Sequence, residues 1–190
     1  YKIFSELVTY FKEEEKFLKK GKTSGEIKSK YKFKSKDVFY LKNSNELFSE
    51  KNTTITDNDN LYNLEKFRYF IDNDQLIGEK IIINSKYNLP ESDKFFFSSA
   101  IIDLKNNNFL AKDTEIKVYK SIFDKSDNDP RIKGVSSKKE GNITTISKGV
   151  FTSCKKTDNC PPWAIEATEI KHNKSKKQLT ADLIGRGGAW

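Results

Sequence analysis

Methionine is absent from this 190-residue chain, and histidine occurs once. A chain without methionine does not begin at an initiator residue, so a processed mature chain or a fragment is expected. With one histidine, a Ser-His-Asp triad would have to use His172. That residue closes a predicted strand in Glu169-Ile170-Lys171-His172-Asn173-Lys174 and reads as an exposed turn residue. The two cysteines, Cys154 and Cys160, lie close together. They allow one local bridge, which an oxidising compartment would favour. Joined by His172 they would offer zinc only three ligands at unusual spacing. There is no phosphate-cradling glycine loop, dinucleotide fingerprint or HExxH helix. No hydrophobic run has the roughly 20 residues of a membrane helix, and no signal peptide is present. These absences point away from an enzyme, and no metal or cofactor is expected.

Apolar residues are also scarce. They make up 35% of the chain, against 33% charged. A compact globule normally has a richer core, so a thin or elongated architecture fits better. The 13% aromatic content opposes disorder. The formal net charge of +8 suggests an anionic partner. Acidic residues are interspersed with the basic ones and no tight basic stripe stands out, so nucleic acid is not the expected partner.

What the chain does have is short alternating runs and polar turns. Thr114-Glu115-Ile116-Lys117-Val118 and Phe67-Arg68-Tyr69 alternate with period two, and Ile81, Ile82 and Ile83 form a β-branched run. Turn signals punctuate them at Lys42-Asn43-Ser44-Asn45, Asp57-Asn58-Asp59-Asn60, Asp72-Asn73-Asp74, Lys105-Asn106-Asn107-Asn108 and Ser126-Asp127-Asn128-Asp129-Pro130. Phe11 to Lys20 contains good helix formers, but it is short and uncapped and reads as strand, turn, strand. An all-β domain follows.

Four segments repeat: Lys16 to Gly21, Glu46 to Lys51, Gln75 to Lys80 and Asn108 to Asp113. Each carries two adjacent apolar residues, then a small or polar one, then charges. Leu18, Phe48, Ile77 and Leu110 recur at roughly thirty residues. A second set falls between them: Phe33 to Val38, Phe97 to Ile101 and Ile165 to Ile170, each with Ser or Ala two places after an apolar residue. A unit of two short strands cannot bury its apolar face alone, so stacked units share a core. The drifting period suits a folded, twisted antiparallel β-jellyroll better than a regular β-helix. Its terminal strands keep unpaired backbone groups that invite another chain.

The most distinctive stretch is Lys148-Gly149-Val150-Phe151-Thr152-Ser153-Cys154, then Cys160-Pro161-Pro162-Trp163 and Ile170-Lys171-His172. It resembles the N-terminal region of the LptD family of outer-membrane LPS-assembly proteins, also called organic solvent tolerance proteins. The upstream repeats resemble the OstA-type repeats that family shares with LptA. Asn128 to Ser137 fits the loop before the cysteine motif, and the resemblance runs from about Phe4 to Leu179. It implies an OstA-like β-jellyroll on the periplasmic side of a Gram-negative outer membrane. Such a domain receives lipopolysaccharide from an LptA-like bridge protein by edge-strand pairing. It passes the lipid to a C-terminal barrel plugged by the lipoprotein LptE. Cys154 matches a family cysteine that can bridge to the barrel; pairing with Cys160 stays open. The barrel is missing here, and the Gly-rich end, residues 180–190, departs from the family pattern. The domain is therefore expected over residues 1–179.

An open jellyroll lined by apolar side chains could shelter acyl chains. Burial at about 25 cal/mol per Å² would hold them reversibly. The candidate groove residues are Ile27, Phe33, Leu47, Leu64, Phe67, Ile81, Phe97, Ile116 and Ile165. Two other readings compete. A structural β-repeat protein would assemble through its edges and contain no lipid-sized cavity. A polysaccharide-active β-helix would need acidic residues or Arg on successive rungs of one face.

Overall fold

A computed structural model describes residues 2–119, 129–154 and 163–183. Every regular element among them is a strand: β1 (Lys2–Phe4), β2 (Leu7–Phe11), β3 (Lys16–Ile27), β4 (Tyr31–Leu41), β5 (Glu46–Ser49), β6 (Thr53–Thr56), β7 (Asn60–Leu64), β8 (Lys66–Phe70), β9 (Gln75–Ser85), β10 (Asp93–Asp103), β11 (Asn108–Lys117), β12 (Arg131–Glu140), β13 (Ile143–Thr152), β14 (Ile165–Asn173) and β15 (Gln178–Leu183). They form a single fifteen-stranded sheet. Neighbours pair antiparallel throughout, and the expected strand-turn-strand over residues 11–20 is present as β2 and β3. The sheet continues past position 179 through β15. Residues 184–190 lie outside the described residues, as does most of the Ser126–Pro130 turn.

The long strands are creased near their middles. Asp37, Lys80, Asp113 and Lys148 adopt left-handed φ values between 47° and 52°, and Gly21 has φ 81°. Strand pairing skips a residue at Ser98 in β10 and shifts at Thr168 in β14. Such bulges bend a strand and leave backbone groups unpaired. Side chains fill the gaps. Asp37 Oδ1 accepts the Gly21 N–H at 2.8 Å, Ser98 donates to Asp113 Oδ2 at 2.7 Å, and Ser49 donates to the Lys36 carbonyl at 2.7 Å. In three places the crease becomes a break. β1 and β2 both pair with β3, β5 and β6 both pair with β4, and β7 and β8 both pair with β9. Each of these pairs is one strand position cut in two.

The crease gives the sheet two halves, and these close over a common core. Phe33 of one half stacks against Phe67 of the other, with ring centroids 6.4 Å apart. Phe95 and Phe109 meet edge-on at 5.7 Å. The tips also meet. The Tyr31 hydroxyl donates to the Leu104 carbonyl at 3.1 Å, Lys28 pairs with Asp74 at 2.9 Å, and Lys174 pairs with Asp93 at 2.6 Å. The antiparallel sheet therefore folds over on itself.

The sequence repeats map onto half-strands. Lys16–Gly21, Gln75–Lys80 and Asn108–Asp113 each run from a turn to the left-handed residue of the crease, and Glu46–Lys51 runs to the break after β5. Phe33–Val38, Phe97–Ile101 and Ile165–Ile170 straddle the crease in β4, β10 and β14. One detail differs. The recurring residues Leu18, Phe48, Ile77 and Leu110 sit outside or half outside, while the preceding Leu47, Leu76 and Phe109 are buried. With period two, one of two adjacent apolar residues must face each side, and the core takes the first.

Packing across the crease is close at Gly134. A Cβ added there would lie 2.2 Å from Ile146 Cγ2 and 2.9 Å from the Ser147 carbonyl oxygen. Ile146 is fully buried. Gly134→Ala is therefore predicted to destabilise the domain by about 1–3 kcal/mol, the usual cost of overpacking. Urea titration of parent and variant would read this as a lower midpoint with unchanged slope.

Candidate functional site

The inner face of the sheet is built from rows of side chains in cross-strand register. One row runs Ile3, Gly25, Phe33, Ile55, Tyr62, Ile83, Phe95, Ile116, Ile132, Phe151, Ile165. It crosses eleven strands without a charge. β-branched and aromatic side chains suit this surface because each packs on the neighbour directly opposite, about 5 Å away. Eight of the candidate groove residues, Ile27, Phe33, Leu47, Leu64, Phe67, Ile81, Phe97 and Ile116, are buried in the common core. Ile165 is half buried and packs against it. They share a face, as alternation predicts, and most touch protein rather than open space.

Two clefts lie on the outer side of the sheet. One, of about 540 Å³, sits beside the crease and is lined by Thr54, Lys80 and Phe96 together with the core residues Leu64, Ile81 and Phe97. Another, of about 470 Å³, lies beside β1 and β6, with Phe4 and Phe33 in its lining and Lys2, Lys32 and Lys34 at its rim. Both fall in the size range of small-molecule sites, roughly 300–1,000 Å³. Four of the nine candidates thus line a cleft, and the cations at the second cleft's rim come from two strands, β1 and β4.

The cysteine segment is partly described. Cys154 is a free, buried thiol whose Sγ lies 3.7 Å from the Trp163 carbonyl oxygen. Thr152 donates to the same carbonyl at 2.9 Å, and the Trp163 ring packs on Phe151 with centroids 5.8 Å apart. Trp163 therefore covers the end of β13. Arg131 donates to the Cys154 carbonyl at 2.6 Å. Cys160, with Pro161 and Pro162, lies outside the described residues.

His172 is not the exposed turn residue its sequence context suggests. It is 3% exposed and points into the core from β14. The turn begins only at Lys174. Period two decides the matter, since His172 lies two places after the fully buried Ile170 and shares its face. Beside it, in register, stand Thr144 of β13 and Lys139 of β12. Asp93, fully buried, accepts the Tyr119 N–H at 3.2 Å and faces Lys174. Burial holds the His172 imidazole below its ordinary value of 6.5; Asp93 opposes this and Lys174 adds to it. Burial also pushes the Lys139 ammonium down to about 8, helped by repulsion from Lys174. Sequence reading missed this cluster because its members come from distant turns and none belongs to a local motif. Among the described residues no three His, Cys, Asp or Glu side chains stand close enough to hold a metal.

No protein-family model matches this chain, and no curated protein aligns with it significantly.

The buried His172 and the half-buried Lys139 predict a pH dependence of stability. A histidine whose folded value lies below 6.5 is protonated first in the unfolded chain, so stability is lost as pH falls through about 6.5. The lysine acts in an alkaline window. Between about 8 and 10.5 the unfolded chain holds the extra proton, so stability rises with pH there. Denaturant midpoints should fall from pH 7.5 to 5.5 in the parent and less in His172→Gln. Lys139→Gln should lose the gain between pH 7.5 and 9.5.

Proposed function

We propose that this chain is a lipid-binding and transfer domain acting in lipopolysaccharide assembly at the outer membrane. The observation that carries this reading is the uncharged inner-face row from Ile3 to Ile165. It provides an apolar track across eleven strands, and two clefts lie against the strands that carry it. The resemblance of the Gly149–Cys154 and Cys160–Trp163 segments to the LptD family supplies the lipid's identity and the periplasmic setting. A lipid with buried acyl chains and a phosphorylated headgroup suits an apolar cleft rimmed by Lys2, Lys32 and Lys34, since the chains gain from burial while the phosphates stay near cations. On this reading no bond of the lipid is made or broken. In the oxidising compartment it implies, the Cys154 thiol has Cys160 or a barrel cysteine as its partner.

Partners follow from the sheet's ends. Among the described residues, β1 and β2 at one end and β15 at the other each have a ladder on one side only. An LptA-like protein would add strands to β2, and a barrel with LptE would follow β15 in a full-length protein. Nucleic acid has no place in this reading. A structural protein that assembles through the same edges is the second reading, favoured by how completely the core residues are packed.

Site-specific photocrosslinking separates the two. A photoreactive residue at Leu64 or Phe97, in the crease cleft, is predicted to crosslink lipopolysaccharide, and one at Lys133, on the outer face away from both clefts, much less. Substitution by a charged residue would be uninformative at Phe97, whose ring packs 4.9 Å from Phe109 in the core. Crosslinking at neither cleft position in a folded domain would reject the lipid reading and leave the structural one.

A further inference from the structure

One row of the inner face breaks the rule that the others obey. Starting at β4 it runs Tyr40, Leu47, Tyr69, Leu76, Ile102, Phe109, then Lys139, Thr144, His172. Six apolar or aromatic positions give way to three consecutive hydrogen-bonding ones on β12, β13 and β14. Directly opposite residues on neighbouring strands stand about 5 Å apart, so an ammonium, a hydroxyl and an imidazole project side by side. They line a cavity of about 170 Å³. Thr144, His172, Asp93 and Phe95 form its buried floor, and exposed Lys86, Asn107 and Asn142 lie at its mouth.

We propose that this cavity binds a phosphate-type oxyanion, held by Lys139, Thr144 and His172 with Lys174 behind them. The His172 Nε2 is buried at the cavity with no hydrogen-bond partner. Leaving such an atom unpaired in the interior is unfavourable. The Lys174 Nζ is also buried. It pairs with Asp93 at 2.6 Å, which engages one N–H and leaves two. Lys139 gives one N–H to the Asn107 carbonyl and has two more. Asp93 does not fill the site's need for negative charge. One of its oxygens receives the Tyr119 N–H and the other faces Lys174. The charged lining groups are three lysines, Lys86, Lys139 and Lys174, against two aspartates, Asp59 and Asp93.

Other occupants fit less well. Two ammonium groups at the cavity repel a metal cation. Water alone would fill the space, at about 30 Å³ each, but would leave the Lys139 ammonium without a carboxylate partner. Burial, and then repulsion from Lys174, disfavours its charge there. A tetrahedral dianion offers several acceptor oxygens to donors that converge from three strands and forms charge-assisted bonds with them. The cavity is too small for a nucleotide or a sugar chain, so the recognised unit is the phosphate itself. A free phosphate ion and a phosphate monoester carried on a lipid share this chemistry. The inference does not rest on the lipid reading, since free phosphate alone would satisfy it.

His172 is the chain's only histidine, so imidazole NMR of the full chain reports on this site without assignment. The titrant is inorganic phosphate at fixed ionic strength, with sodium chloride as control. A saturable shift of the imidazole signals is expected, absent with chloride. Lys139→Gln and the isosteric Thr144→Val should each weaken binding at least about tenfold, while Lys112→Gln, exposed on β11, leaves it unchanged. Absence of a phosphate-specific shift in the folded parent overturns the proposal. So does an unchanged dissociation constant in both cavity variants, and having two guards against one that fails to fold. Mixed micelles of phosphatidic acid or diacylglycerol then identify the source. Competition by phosphatidic acid alone marks a lipid-borne phosphate, and competition by neither marks the free ion. Both results keep the phosphate site, and neither depends on crosslinking at the acyl clefts.

Discussion

The crease governs this fold. A strand of ten to twelve residues in a flat sheet would present one face to water along its whole length. A left-handed residue at Asp37, Lys80, Asp113 or Lys148 turns the second half of the strand back over the first. L-residues pay roughly 1–2 kcal/mol for that conformation, and the sequence places no glycine at these four points. The cost is offset because bending lets one sheet supply both walls of its own core. Hydroxyls and carboxylates along the crease, such as Ser49, Ser98 and Asp37, take up the backbone groups that the bulges release.

Much of this was legible in the chain. Alternation around Phe67 and Ile116 gave the correct inward faces, and polar turns at residues 42–45 and 72–74 lie where the turn signals put them. The thirty-residue repeat is real because one turn, one half-strand and one crease recur together. Its phase was less legible. In Leu47-Phe48 and Leu76-Ile77 both residues are apolar, so composition alone does not say which faces inward. A fifth copy, Ile143 to Lys148, escaped notice for a physical reason: its core position holds Thr144 where the others hold Leu47, Leu76 and Phe109. The crease itself had no sequence signature, since Lys and Asp replace the expected glycine.

That fifth copy connects pattern to chemistry. A repeat whose core position turns polar loses burial energy, and two neighbouring strands lose it at the same level. Lys139, Thr144 and His172 therefore form one deliberate departure rather than three scattered ones. The remaining candidate groove residues obey the pattern and build the apolar track. That one row thus carries two different inner surfaces, hydrocarbon-like from β4 to β11 and hydrogen-bonding at Lys139, Thr144 and His172. A ligand with an oily part and an anionic part would meet them in that order.

The meeting of the tips has a mechanical consequence. Among the described residues no backbone hydrogen bond joins one half of the sheet to the other across that line. It is fastened by Tyr31 to Leu104, Lys28 to Asp74 and Lys174 to Asp93, together with ring contacts such as Phe33 to Phe67. Polar fastenings of this kind contribute about 1 kcal/mol each, whereas each strand is held to its neighbours by a continuous ladder. Gaping along the line and melting of the sheet are therefore separate events with separate energies. The molecule behaves like a hinged clasp, in which the crease is the pin and a few side chains are the catch.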